Sequence, residues 1–525
     1  MKNKIAYLLI MLFMVFAVVA CSDETNENKG NYTVIEEADS NAAHVKTDKY
    51  YYNKEDIIKV YNYNASKEDY VCLLGPNDEP ITVDRHLRSK TNTEVDEFSV
   101  SELIEYSTGN GYGEYSVCLY DADYLTIYRT TFFVLDGDAT DYSPEHLCID
   151  YVVGMPVVTF EQKQPATLTY KLYWAKDGVR LNDYTAIKTF TADKLYASPV
   201  QLNLNIFSPK EANQIELVVM EGHSQSVYAD IPKEMFLSES EMLYSFNVIS
   251  DIHAYKTDSS EPYTSHFIGA LKQIDELDPN SEALFTVGDN TGNGKEFEYD
   301  VLAELLSTYR KSSSPIYYTI GNHDYMYYDT IEEGLDLFKK RLGMKNHYYS
   351  VEIKGIKFII LGSDTTSGYG SLSEAQLNWL ENELKTAASN KPIFIMIHQP
   401  LKNTVAGTLD KLDPNQTSAG FIDSSGTKLR KILKSYPNSF VFTGHSHWTM
   451  DSYQSTYVGV GHDANFINCS SVAAPEDGSG RLAGSQGVFV EVYEDFVVIK
   501  GRDFVKNAWI SSNQIIMKLE KEEQQ

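Results

Sequence analysis

The chain has 525 residues, too many for one ordinary domain, and with 42% hydrophobic and 23% charged residues it is globular rather than disordered. A formal charge of −29 excludes a nucleic-acid-binding surface, which needs clustered Lys and Arg to displace counterions from phosphate backbones. A small phosphorylated ligand is compatible with that charge where bound cations reverse its sign locally.

Met1-Lys2-Asn3-Lys4 precedes an apolar run over residues 5–20 and then Cys21, a basic stretch and a hydrophobic core of export-signal length. Val18-Val19-Ala20-Cys21 resembles the lipobox of bacterial lipoproteins. That resemblance implies cleavage before Cys21, a lipid on its thiol and an extracytoplasmic body anchored to a membrane. An uncleaved anchor is the alternative, although the run is slightly short for a span of about 20 residues. Residues 22–46 are rich in Asp, Glu, Asn and Lys without hydrophobic period, as in a flexible tether.

Residues 47–137 hold short alternating runs at 57–61, 70–74, 115–120 and 131–135, separated by turn signals and without a helix of convincing length. A second all-β unit spans 143–238, with runs at 167–174, 200–206 and 215–220 and a turn at Lys176-Asp177-Gly178. Both read as β-sandwich modules of immunoglobulin or fibronectin type III architecture, a likeness that carries no motif and no function. A spacer or platform is the expected role. Cys72 and Cys118 fall in strand-like runs of the first module, so a disulfide and two buried thiols are both open; Cys148 and Cys469 complete the exported set, and none has metal-binding spacing.

From residue 243 strands alternate with helices, which predicts an α/β domain over 243–505 with central sheets flanked by helices, followed by a terminal strand and charged tail at 506–525. Residues 264–277 and 296–309 have helical apolar spacing, and Ser373 with Gln376 forms a capping-box signature ahead of Leu377, Leu380 and Leu384. The runs at 357–361 and 393–397 are continuously apolar, as in strands buried on both faces.

The chemistry lies where these strands end: Ser250-Asp251-Ile252-His253, Gly288-Asp289-Asn290, Gly321-Asn322-His323-Asp324, His398-Gln399-Pro400 and Gly444-His445-Ser446-His447. Open α/β sheets bind ligands at the carboxyl ends of their strands. Carboxylate, imidazole and amide donors without a thiolate suit borderline or hard divalent ions, and the set exceeds what one ion needs. In a strand-like Asp-x-His the side chains at i and i+2 point the same way, so Asp251 and His253 can grip one ion together, and His445 and His447 could each face a different one.

This ordered series resembles the calcineurin-like metallophosphoesterase family over residues 243–504, with further similarity at 370–373, Gln376, Trp379 and 501–504. The resemblance implies two metal ions (Fe, Zn or Mn), with Asp251, His253 and His447 on the first, Asn322, His398 and His445 on the second, and Asp289 bridging. It further implies hydrolysis of phosphate mono- or diesters by in-line attack of a metal-held hydroxide. His323 would face the scissile phosphate, with protonation of the leaving oxygen as its expected role and Asp324 as its orienting partner. The related purple acid phosphatases carry a Tyr three places after the bridging Asp; Gly292 stands there, which speaks against a tyrosinate-bound ferric ion. Lys256, Lys402, Arg481 and His462 are candidate substrate contacts, and the polar segment 401–426 is a candidate specificity lid. A small or envelope-derived phosphoester is the expected substrate, and the oligomeric state stays open. A surface binding protein with a vestigial phosphoesterase domain is the competing reading, but a relic should have lost ligands and none is missing.

Overall fold

The computed structural model describes residues 43–520 apart from 50, 67–68, 77–79, 82–94, 121–125, 138, 153–154, 165, 193–199, 205, 223–224, 237–240, 366–367, 389–390, 410–421, 423 and 460. Cys21, the apolar run before it and most of the tether lie outside the described residues. Among those described, no helix is long and apolar enough to cross a membrane.

Two six-stranded sheets build the carboxyl-terminal half. One runs in the order Ile316–Thr319, Leu284–Val287, Tyr244–Ile249, Gln486–Val492, Phe496–Asp503 and Ala508–Lys518; the other in the order Tyr349–Ile353, Ile356–Ile360, Ile393–Met396, Ser439–Thr443, Asn465–Asn468 and Thr456–Tyr457. The strands bearing the motifs pair in parallel within each sheet. Tyr244–Ile249, Ile393–Met396 and Ser439–Thr443 are buried along their whole length because each has a packed layer on both faces, and in Ile393–Met396 the unbroken apolar run shows it. Between the sheets, Phe246 sits edge-on to Phe394 at 4.7 Å and to Phe358 at 5.0 Å. The outer faces are closed by helices, Pro262–Leu277 with Glu296–Tyr309 on the first sheet and Glu374–Lys385 with Ser424–Leu433 on the second.

Ala508–Lys518, read as a terminal strand, is the sixth strand of its sheet, and the charged end is held as far as Glu520, whose N–H donates to Asn438 Oδ1 at 2.7 Å. One expectation changes here. At the start of Glu374–Lys385, Ser373 accepts from the Gln376 N–H, but the Gln376 side chain turns inward to the main chain of Gly362 instead of completing the box.

The amino-terminal half is strand-rich. Each module has two sheets around one apolar cluster, and Asp177 and Gly178 take the left-handed backbone that the turn signal requires. The first module also contains a short helix, Val100–Tyr106, which the alternating pattern hides: Val100 and Leu103, one turn apart, are its buried anchors. Cys72 and Cys118 are register partners on adjacent antiparallel strands.

The modules are joined by buried charge. Arg180 of the second module lies between Glu114 of the first and Glu216 of its own, with Nε donating to Glu216 at 2.7 Å, and its guanidinium stacks 3.6 Å over the Tyr173 ring. The second module in turn seats on the last strand of the α/β half, where the Trp509 N–H donates to the Asp183 carbonyl at 2.7 Å and the Trp509 carbonyl accepts from Thr185 at 2.8 Å.

Candidate metal centre

The strand ends of both sheets converge on one rim. Asp251 Oδ1 lies 3.0 Å from His447 Nε2, the Nε2 atoms of His253 and His447 are 3.3 Å apart, and Asp289 Oδ2 stands 3.2 Å from His398 Nε2 and 3.9 Å from His253 Nε2. Three overlapping triplets, Asp251-His253-His447, His253-Asp289-His323 and Asp289-His398-His445, each gather donor atoms within 4.8 Å. Asp289 and His253 are each shared by two of them. Asn322 is buried, and among the described residues its Oδ1 has no hydrogen-bond partner. An orphaned buried polar atom costs about 1–3 kcal/mol. A cation would satisfy it, and the nitrogen and oxygen donors gathered in the three triplets fit divalent metal ions.

Convergence does not come from strand alternation. Asp251, His253, Asp289, His445 and His447 all have φ between 50 and 65°, the left-handed region that non-glycine residues avoid at a cost of about 1–3 kcal/mol. The loops hold them there: the Asp251 and His253 N–H groups donate to the carbonyls of Gly288 and Asp289 at 3.1 and 2.9 Å. Main-chain carbonyls also aim the rings. Nδ1 of His398 donates to Val287 at 2.7 Å, that of His447 to Ala474 at 2.9 Å and that of His323 to Gly292 at 2.7 Å, leaving each Nε2 free to act. None of these carbonyls has a sequence signature.

Close approach explains the glycine in the last motif. A Cβ at Gly444 would collide with Ser250 Oγ and Asp251 Oδ2, the carboxylate oxygen that also accepts from the His445 N–H at 3.0 Å. Gly444→Ala is therefore expected to lower metal content and to cut kcat on the order of 10–100-fold, the range for loss of a ligand's support; metal analysis beside steady-state kinetics checks it.

Burial opposes ionisation of Asp251, yet the neighbouring imidazoles of His447 and His398 outweigh it and hold the carboxyl down at about 2. For Asp289 burial is likewise overcome, chiefly by His398. Desolvation pushes His253 down to about 3 and His445 down to about 4, so both rings are neutral donors at physiological pH. His398 departs from them. Burial would lower it, but the Asp289 carboxylate raises it to about 9, so a proton and a cation compete for its Nε2.

Asp324 does not orient His323. Its carboxylate accepts from Gly321 N–H and Asn290 Nδ2 at 2.9 Å and from Thr291 N–H and Oγ1 at 3.0 Å, stapling the 288–291 loop to its own turn. Both residues engage the 289–292 loop, Asp324 through Asn290 and Thr291 and His323 through Gly292, whose carbonyl takes the orienting role. Burial and the charge of Asp289 raise the Asp324 carboxyl to about 6.

Arg481 reaches the mouth of the site, where it donates to Tyr263 Oη at 2.9 Å. Lys256 is exposed, 3.7 Å from Glu261, and Lys402 is exposed on the loop after His398. His462 is not at the site. Asn465–Asn468 runs parallel to Ser439–Thr443, so the residue just before it lies at the opposite end of the sheet, beside Gly461 and Glu520. The lid expectation fails over residues 404–408, which are buried, with Gly407 packed on Trp448; residues 410–421 lie outside the described residues.

A rim of Asp, Asn and His donors at the carboxyl ends of paired α/β sheets defines the class: this is a metal-dependent phosphoric ester hydrolase. Residues 244–449 match the model of the calcineurin-like phosphoesterase family. A 3′,5′-cyclic-nucleotide phosphodiesterase of Nostoc sp. is 28% identical over 209 residues, 38% of this chain and 70% of the relative. A probable glycerophosphodiester phosphodiesterase of Arcobacter nitrofigilis is 30% identical over 143 residues, 25% of this chain and about half (47%) of the relative. Among solved structures, a purple acid phosphatase of yellow lupin aligns over 91% of this chain and 96% of its own at 12% identity, with a TM-score of 0.37.

Proposed function

We propose that this chain is an exported phosphodiesterase with a dinuclear metal centre. The observation that carries the reading is the sharing of Asp289 between the His253 and the His398-His445 clusters, which gives two adjacent donor sets one anionic bridge. Asp251, His253 and His447 would hold one ion and Asn322, His398 and His445 the other. When bound, the pair supplies Lewis acidity toward the phosphoryl oxygens and activates the attacking water.

The chain's own residues do the rest. The ring of His323 stands edge-on to His253 at 4.6 Å, and with Nδ1 committed to Gly292 it presents Nε2 to the phosphoester, where it delivers a proton to the leaving oxygen. His323→Ala is expected to lower kcat by about 10²–10⁴-fold with metal content unchanged; unchanged turnover would remove this role. A diester, rather than a monoester, is favoured because relatives of two different diester specificities share this half. Hydrolysis of bis-p-nitrophenyl phosphate against p-nitrophenyl phosphate, with Mn, Zn or Fe added, tests it: faster turnover of the diester supports the reading, and activity confined to the monoester contradicts it.

The lipobox-like run ending at Cys21 supports a lipid-anchored enzyme on a bacterial membrane outside the cytoplasm, with envelope-derived diesters as accessible substrates. The two strand-rich modules act as immunoglobulin-like spacers between anchor and site.

A further inference from the structure

Half-exposed aromatic rings stand at the mouth, and none of them serves a core. Tyr263, at the start of Pro262–Leu277, has its ring 6.4 Å from the His253 imidazole, and Tyr255, two residues after His253, stands edge-on to Tyr263 at 6.2 Å. Neither belongs to the buried clusters of the α/β half. Both are fixed from below: Thr264 Oγ1 donates to the Lys256 carbonyl at 2.8 Å, tying the helix start to the segment carrying Tyr255.

Arg481 completes this lip from a third segment, a two-residue-stranded hairpin (Glu476–Asp477 with Gly480–Arg481) whose Glu476 N–H donates to the His447 carbonyl at 2.7 Å. Its guanidinium donates to Tyr263 Oη, so one hydrogen bond joins the hairpin beside His447 to the ring beside His253. Against the loop that carries Gly292, Tyr327 is 62% exposed, its N–H bonded to the Asn293 carbonyl at 2.9 Å and its ring 5.1 Å from Lys295 Nζ. One aromatic wall, Tyr263 with Tyr255, with Arg481 at its edge, stands beside His253.

We propose that this mouth seats a planar, ring-bearing alcohol portion of the phosphodiester, such as a purine nucleoside, on Tyr263 and Tyr255, with Arg481 locking the angle of the Tyr263 ring. The proposal rests on the phosphodiesterase reading above and adds the substrate class. A flat ring gains from stacking on rigid tyrosines and a guanidinium plane, whereas a glycerol moiety offers no such face.

The full metal-loaded chain is assayed with a purine nucleoside 3′,5′-cyclic phosphate and with glycerophosphoethanolamine. Stacking is worth about 1–3 kcal/mol per ring, so Tyr263→Ala should raise KM for the cyclic nucleotide by about 10-fold or more while leaving kcat/KM for the glycerol diester within about twofold. Tyr263→Phe, which keeps the ring and loses the Arg481 bond, should fall between wild type and Tyr263→Ala. In parallel, calorimetry on the chain without added metal should show a purine nucleoside monophosphate binding more tightly than glycerol phosphate, and Tyr263→Ala should erase the difference. Equal effects of Tyr263→Ala on both substrates, or hydrolysis of the glycerol diester alone, would overturn the ring proposal and leave the diesterase reading standing. Hydrolysis of neither diester would sink the diesterase reading, and the calorimetric comparison would then decide the ring site by itself.

Discussion

Replacing Asp289 with asparagine is expected to lower kcat by ~10³-fold or more, with metal content falling in step and the fold intact. The substitution preserves volume, and its amide oxygen can still accept from the His323 N–H, a bond of 2.8 Å to Oδ1 in the native chain. What it removes is the anion lying between two clusters of imidazoles, 3.2 Å from His398 and 3.9 Å from His253. Two cations held side by side need a negative charge between them, and a neutral amide does not supply it. Steady-state kinetics and metal analysis of the variant, beside an unchanged circular dichroism spectrum, check the prediction. Retained turnover at full metal occupancy would show that the bridge is not required.

Arg180→Leu should be the most destabilising single change outside the metal centre, by about 3–5 kcal/mol, because it strands two buried carboxylates. Glu216 is fully buried and Glu114 nearly so, and Lys171, 3.2 Å from Glu114, cannot replace a guanidinium that serves both. Burial alone would raise the Glu114 carboxyl, but Arg180 and Lys171 outweigh it and hold it at about 2, below its ordinary 4.5. A depressed folded pKa contributes stability that is fully present above the ordinary value and is lost as pH falls from there toward 2. Wild-type modules should therefore loosen between pH 4.5 and 2, and Arg180→Leu should lower the denaturation midpoint already at pH 7 while kcat stays near wild type. Equal denaturation midpoints at pH 7 would contradict the account of this interface.

The α/β half was legible where local pattern and tertiary environment agree. Helical spacing marks 296–309, which is the helix Glu296–Tyr309, and unbroken apolar runs mark the doubly buried strands. The site was legible as a list of polar residues at strand ends, because side-chain chemistry is written in the sequence. Its geometry was not, since left-handed φ at Asp251, His253, Asp289, His445 and His447 is imposed by loops meeting from two sheets. Sequence adjacency misled at Asp324, which does not orient its neighbour, and at His462, which follows the His447 motif in sequence but is carried by the chain to the far end of the sheet. Arg180 could not be matched with Glu114 and Glu216, because 66 and 36 residues separate them and no spacing rule reaches that far.

The most direct test is the metal content of the chain purified without chelator, followed through removal and restoration together with turnover of bis-p-nitrophenyl phosphate. About two ions per chain are predicted, with activity lost on stripping and recovered as both return. Full diester hydrolysis by the stripped chain, or saturation of activity at a single ion, would contradict a centre bridged by Asp289.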